Sequence, residues 1–108
     1  MPERAFEIID HTADVGIVAY GTDVKELFRN AALGLFSLVT DTRQIEESLR
    51  RDLKIASTDH VGLLVEWLNE LIYLLDTEHI LFNRFVIEQL TNDHLEATCY
   101  GEKVDPRR

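Results

Sequence analysis

The spacing of hydrophobic and polar residues changes several times along the chain, and each change marks an element. Residues 5–10 alternate, with Phe6 and Ile8 on one side and Glu7 and Ile9 on the other, the two-residue repeat of an extended strand. Val15 to Tyr20 is a second short β-rich run ending at Gly21. Between them, Asp10-His11-Thr12-Ala13-Asp14 is small and polar, which predicts a turn or bend outside the core. From Asp23 the spacing becomes helical: Val24, Leu27, Phe28, Ala31, Leu35 and Leu38 share one face of a helix reaching about Val39. Asp23 followed by Glu26 has capping-box spacing, in which carboxylates satisfy the N–H groups of the first turn.

Leu49, Arg51, Leu53 and Ile55 alternate with Ser48, Arg50, Asp52 and Lys54. This is a half-buried strand whose Arg51 must lie at an edge or extend its head to solvent. Ser57-Thr58-Asp59 opens a second helix, with Val61, Leu64, Val65, Leu68, Leu71, Ile72 and Leu75 in one stripe and Leu63, Trp67 and Leu74 widening it. A helix apolar over so much of its circumference packs on two sides, so it is expected to be sandwiched inside the domain; an interface is the other explanation. Phe82 to Leu90 and Leu95 to Gly101 predict a hairpin around the polar turn Thr91-Asn92-Asp93-His94. The order ββαβαββ predicts an α/β (α+β) fold, a mainly antiparallel sheet with two helices packed on it, in a single domain over residues 1–108.

The composition, 45% hydrophobic and 29% charged over 108 residues, is that of one globular domain. A net charge of −9 argues against direct nucleic-acid binding, which draws its affinity from Lys and Arg replacing counterions. The longest apolar stretch, Val61 to Leu75, is broken by Glu66, Asn69 and Glu70 and is too short to cross a bilayer. A single cysteine, Cys99, excludes an internal disulfide, and with no secretory signal visible the cytoplasm is the expected compartment.

The densest group of metal-ligand types is Asp10, His11, Thr12 and Asp14. Carboxylate oxygens suit a hard cation such as Ca²⁺ or Mg²⁺, and His11 widens the choice to a transition metal. Two carboxylates are too few for a cage; equally, Asp10 and Asp14 fit Asx-type turn bonds, with His11 packing or capping. Cys99 falls on the apolar side of its strand and reads as core, not as a thiolate nucleophile. Trp67 and Tyr73 read as packing residues, and Glu66, Glu70 and Asp76 as a solvated stripe. His60, His79 and His94 stand isolated at element ends.

The run Asp10-His11-Thr12-Ala13-Asp14-Val15-Gly16, followed by Gly21 and the helix Glu26-Leu27-Phe28 through Ala31-Ala32, resembles the opening of the archease family. Trp67-Leu68-Asn69-Glu70-Leu71-Ile72-Tyr73 resembles that family's second-helix motif, and Tyr100-Gly101-Glu102 its Gly-Glu after the last hairpin strand. The resemblance implies a non-catalytic accessory of an RtcB-type RNA ligase in tRNA splicing and RNA repair, promoting guanylylation and multiple turnover. It also implies an acidic tip that binds a divalent metal ion such as calcium, with Asp14 as ligand and His11 and Asp10 in support. Archeases continue into a lysine-bearing strand and a last strand ending in an acidic ligand. The chain is therefore expected to be C-terminally incomplete, with strands missing and a tendency to self-association. A metal-dependent hydrolase using Asp10, His11 and Asp14, and a chaperone-like interaction module binding through the apolar flank of the second helix and tested at Trp67, are the competing expectations.

Overall fold

The structure, a computed structural model, describes residues 6–10 and 15–19 by their backbone and residues 23–105 throughout. Strands β1 (Phe6–Asp10) and β2 (Val15–Ala19) are followed by helix α1 (Val24–Ser37), a 3-10 turn (Thr42–Gln44) and strand β3 (Leu49–Ala56). Helix α2 (His60–Glu78) and strands β4 (Ile80–Leu90) and β5 (His94–Lys103) complete the order. Among the described residues the strands form two sheets rather than one: the antiparallel pair β1–β2, and a three-stranded antiparallel sheet in the order β3-β5-β4. The first pair packs on α1, while α1 also lies on β4, and α2 lies over β3, β4 and β5.

Each helix starts where its sequence supplies a cap. The Asp23 carboxylate accepts from the Glu26 backbone N–H at 2.8 Å, and Asp59 accepts from Gly62 N–H at 2.7 Å, each satisfying an amide with no partner inside the helix. Helix α2 ends in His79, whose φ of 58° is left-handed. That conformation lets the His79 N–H close on the Leu75 carbonyl at 3.0 Å and turns the chain directly into β4.

The core lies between the helices and the three-stranded sheet. Phe28, Ala32 and Phe36 of α1 and Leu63, Trp67, Leu71 and Leu74 of α2 meet Phe82, Phe85, Leu95, Ala97 and Cys99. Phe36 and Phe82 pack edge to face at 5.8 Å, as do Trp67 and Phe85 at 6.0 Å, the arrangement that ring quadrupoles favour. The Trp67 indole Nε1 donates to the Phe28 carbonyl at 3.0 Å, so the one polar atom of a fully buried ring is satisfied by the neighbouring helix.

Two expectations are corrected here. In α1 the buried row runs Phe28, Ala32 and Phe36, while Val24 and Leu38 are exposed, because the helix stops at Ser37 and its ends overhang the sheet. In α2 the two-sided burial does not occur. The buried face is Leu63, Trp67, Leu71 and Leu74, and Val61, Val65 and Ile72 of the expected stripe face water. Arg51 lies on β3, which among the described residues is paired on one side only, and its guanidinium meets both Glu78 oxygens at 2.6 and 3.1 Å.

Glycine 101 has a specific structural task. It faces Leu49 on β3 and Phe82 on β4, and an added Cβ would stand 1.9 Å from the Leu81 carbonyl oxygen. The β4–β5 register shifts just beyond it, between Phe82 and Arg84, so close backbone approach and a bulge go together. The bulged residue, Asn83, donates through Nδ2 to the Thr42 and Ile45 carbonyls at 3.0 and 2.9 Å, tying the 3-10 turn to the sheet.

Candidate functional site

The Asp10–Asp14 segment joins the two strands of the first hairpin. Their register runs from Phe6 opposite Ala19 to Asp10 opposite Val15, so Asp10 occupies the last paired position of β1. The hairpin rests on α1, whose Asp23 cap fixes where that helix begins. The side chain of Asp10, and residues His11 and Asp14 as a whole, lie outside the described residues, so no metal-ligand geometry follows for them. By themselves Asp10, His11 and Asp14 supply fewer ligands than the six to eight oxygens that calcium takes. Among the described residues, no three His, Cys, Asp or Glu side chains gather in a way that would hold a metal ion.

The described residues do assemble a charged network on the outer face of the sheet. The Thr98 hydroxyl lies between the carboxylates of Asp52, at 3.1 Å, and Glu88. Having a single proton, it can donate to only one of them at a time. Arg50 Nε donates to Asp52 at 3.1 Å, and Lys54 stands 4.0 Å from Glu96. A shallow cleft of about 200 Å³ is lined by these charges. The Arg50 bond, reinforced by Thr98, holds the Asp52 carboxyl below its ordinary range, which makes it a weak proton acceptor at neutral pH and not a general base. Beyond the cleft, the Arg84 guanidinium stacks 3.8 Å over the Tyr100 ring and donates to Glu47 at 2.7 Å. Arg50 and Asp52 are two apart on one strand, but Thr98, Glu88 and Glu96 join them through the β3–β5 and β4–β5 registers, which no spacing rule foretells.

A larger cavity, about 390 Å³, opens between the starts of α1 and α2 and the β4–β5 turn, lined by Asp23, Val24, Lys25, His60 and Leu90 to Asn92. Two helix N-termini would favour an anion there, but Asp23 and Asp59 already occupy first-turn amides with carboxylates of their own. Cys99 is fully buried, and burial pushes its thiol up to about 12, so it remains a protonated core group, as its place in the pattern indicates. Trp67 is likewise core. Binding through the flank of α2 would therefore not be read out at Trp67, and the residues available there are Val61, Val65 and Ile72. The signal for them was present in the excess width of the apolar arc. No helix among the described residues is long and apolar enough to cross a membrane.

Comparison with known proteins fixes the lineage of this arrangement. The profile of the Archease protein family (MTH1598/TM1083) matches residues 6–108. The archease of Methanothermobacter thermautotrophicus is 44% identical over 104 residues, covering 94% of this chain and 74% of the relative. That of Sulfurisphaera tokodaii is 40% identical over 106 residues, covering 97% and 76%. The solution structure of Methanobacterium thermoautotrophicum protein 1598 superposes with a TM-score of 0.77 at 42% identity, covering 94% of this chain and 75% of that one. With the matched profile spanning both the Asp10–Asp14 hairpin and the Trp67 helix, the chain belongs to the archease family.

Proposed function

We propose that the chain is a cytoplasmic, non-catalytic accessory of an RtcB-type RNA ligase, acting in tRNA splicing and RNA repair. It would promote guanylylation of the ligase and its repeated turnover. The observation that supports this reading is family membership over residues 6–108, a span that contains the Asp-His-Thr-Ala-Asp block at the link of the first hairpin. A polar link between two strands suits presentation of charge to another protein, because connecting segments often carry binding residues.

Asp14 is assigned as the ligand of a divalent cation, calcium being one the carboxylate chemistry suits, with Asp10 and His11 supporting it. Such an ion, when bound, supplies positive charge beside nucleotide phosphates. The residues of this chain orient it, and the bond-making chemistry belongs to the ligase. The strong acidity of the chain, −9 overall, supports contact with a protein partner in preference to RNA itself.

Multiple-turnover ligation with the chain and its cognate ligase tests the assignment. Asp14→Ala is expected to abolish stimulation while leaving the thermal unfolding curve in place. Equal stimulation by the variant rejects the role of Asp14, and turnover of an RNA or phosphoester by the chain alone would replace the accessory reading with the hydrolase.

A further inference from the structure

We infer that the hairpin β1–β2 opens as a unit of its own, leaving helix α1 and carrying the Asp10–Asp14 link with it while the three-stranded sheet stays closed. Among the described residues, no Cα of β1 or β2 comes within 8 Å of α2 or of β3, β4 and β5; apart from pairing with each other, the two strands reach α1 alone. Helix α1 keeps ties of its own. It lies on β4, and its Phe28 carbonyl accepts from Trp67 of α2, so departure of the hairpin leaves it in place.

Burial along α1 marks the seat. Phe28, Ala32 and Phe36 face the common core. Ala31 and Gly34 are buried as well, yet Ala31 is no part of that core. With half-buried Leu27 they form a second row, roughly 130° around the helix from the first at 3.6 residues per turn. The three-residue turn that follows Ser37 is too short to reach back to Leu27, so the hairpin covers this row. A seat built on alanine and glycine removes little apolar surface from water, and the gain from burial scales with that surface. Two strands of five residues each are also marginal by themselves. Opening at the hairpin therefore costs less than opening the core, as in proteins that unfold by sub-global units. A partner that recognises only the docked link meets the closed fraction alone, and its apparent affinity falls by that fraction.

The inference does not rest on the ligase reading. Amide hydrogen exchange of the full ¹⁵N-labelled chain, followed across a series of urea concentrations below the unfolding transition, tests it. Hydrogen-bonded amides of residues 6–10 and 15–19 are expected to be at least 100-fold less protected than those of 95–101 in β5, with a shallower dependence on urea. Ala31→Gln places a longer side chain in the seat at little cost in helix propensity. It should lower hairpin protection at least a further tenfold and leave residues 95–101 within about twofold of wild type. Leu27→Ala, a milder change, should act in the same direction by at least threefold. Ala32→Gln, in the core row, should instead lower protection in both sets. Equal protection and equal urea dependence of hairpin and β5 in the wild type overturn the inference. So does an Ala31→Gln variant that loses protection equally in both sets or in neither. Ligation stimulated equally with and without Asp14 would leave these exchange rates as expected, so the two readings fail separately.

Discussion

Helices α1 and α2 lie on the same face of one sheet, and both begin at an aspartate cap, yet they spend their apolar residues differently. Helix α1 buries Phe28, Ala31, Ala32 and Phe36 and carries Lys25 and Arg29 among its polar positions. Helix α2 buries a comparable row, Leu63, Trp67, Leu71 and Leu74, but keeps Val61, Val65 and Ile72 in water along its length, whereas the exposed Val24 and Leu38 stand at the two ends of α1. A domain can cover only as much of a helix as its sheet and its neighbouring helix reach. Apolar residues beyond that width belong to the surface, and their significance lies in what could meet them there.

The sharpest way to break the comparison is at the side where the two helices are alike. Trp67→Ala removes a fully buried indole, its edge-to-face contact with Phe85 and its hydrogen bond to α1. It should cost about 3–5 kcal/mol in denaturant unfolding followed by circular dichroism. A cost below about 1 kcal/mol would mean that α2 is not held by that face. A middle-sized effect is expected at the caps, where Asp59→Ala and Asp23→Ala should each cost about 1 kcal/mol. Similar losses in the two variants would show that the helices differ on their flanks and not in how they start.

The smallest effect concerns the far end of α2. The hydrogen-bonded Arg51 guanidinium holds the Glu78 carboxyl below its ordinary value. A lowered folded pKa means that the stabilisation is present above the unfolded carboxyl's value and is lost as pH falls through the folded one. Wild-type and Glu78→Gln melting temperatures should therefore differ at neutral pH and converge as pH falls through the acid range below an ordinary glutamate's value. Both groups are partly solvated, so the gap should be small and should shrink further with salt. Parallel curves across that range would remove the pair from any account of how α2 is fastened to the edge strand.

The parts legible in the sequence are those governed by local chemistry. Asp23 and Asp59 announce their helices because a carboxylate three residues before an open amide is a local device. Arg51 announces an edge because a guanidinium on the core side of a strand must find water or a carboxylate. Cys99 falls in register with Leu95 and Ala97, and all three are buried. Less legible was anything that depends on which strands adjoin. The separation of β1–β2 from the main sheet, the bulge at Asn83 and the meeting of Asp52, Glu88 and Thr98 all arise from register, which leaves no period in the chain. The flank of α2 lies between these cases, since its width could be counted but the extent of its covering could not. For the tip the position is reversed: Asp10, His11 and Asp14 stand out by ligand type alone, and the structure adds only that Asp10 closes the pairing of β1 with β2.

The chain has one tryptophan, and that indole sits at the junction of the two helices with its nitrogen bonded to a carbonyl of the other. Nature has thus placed an intrinsic optical gauge at that seam. Its emission should be blue-shifted while the helices are docked and should move to the red only when they part, whereas a visitor arriving on the outer flank of α2 should leave the colour nearly unchanged.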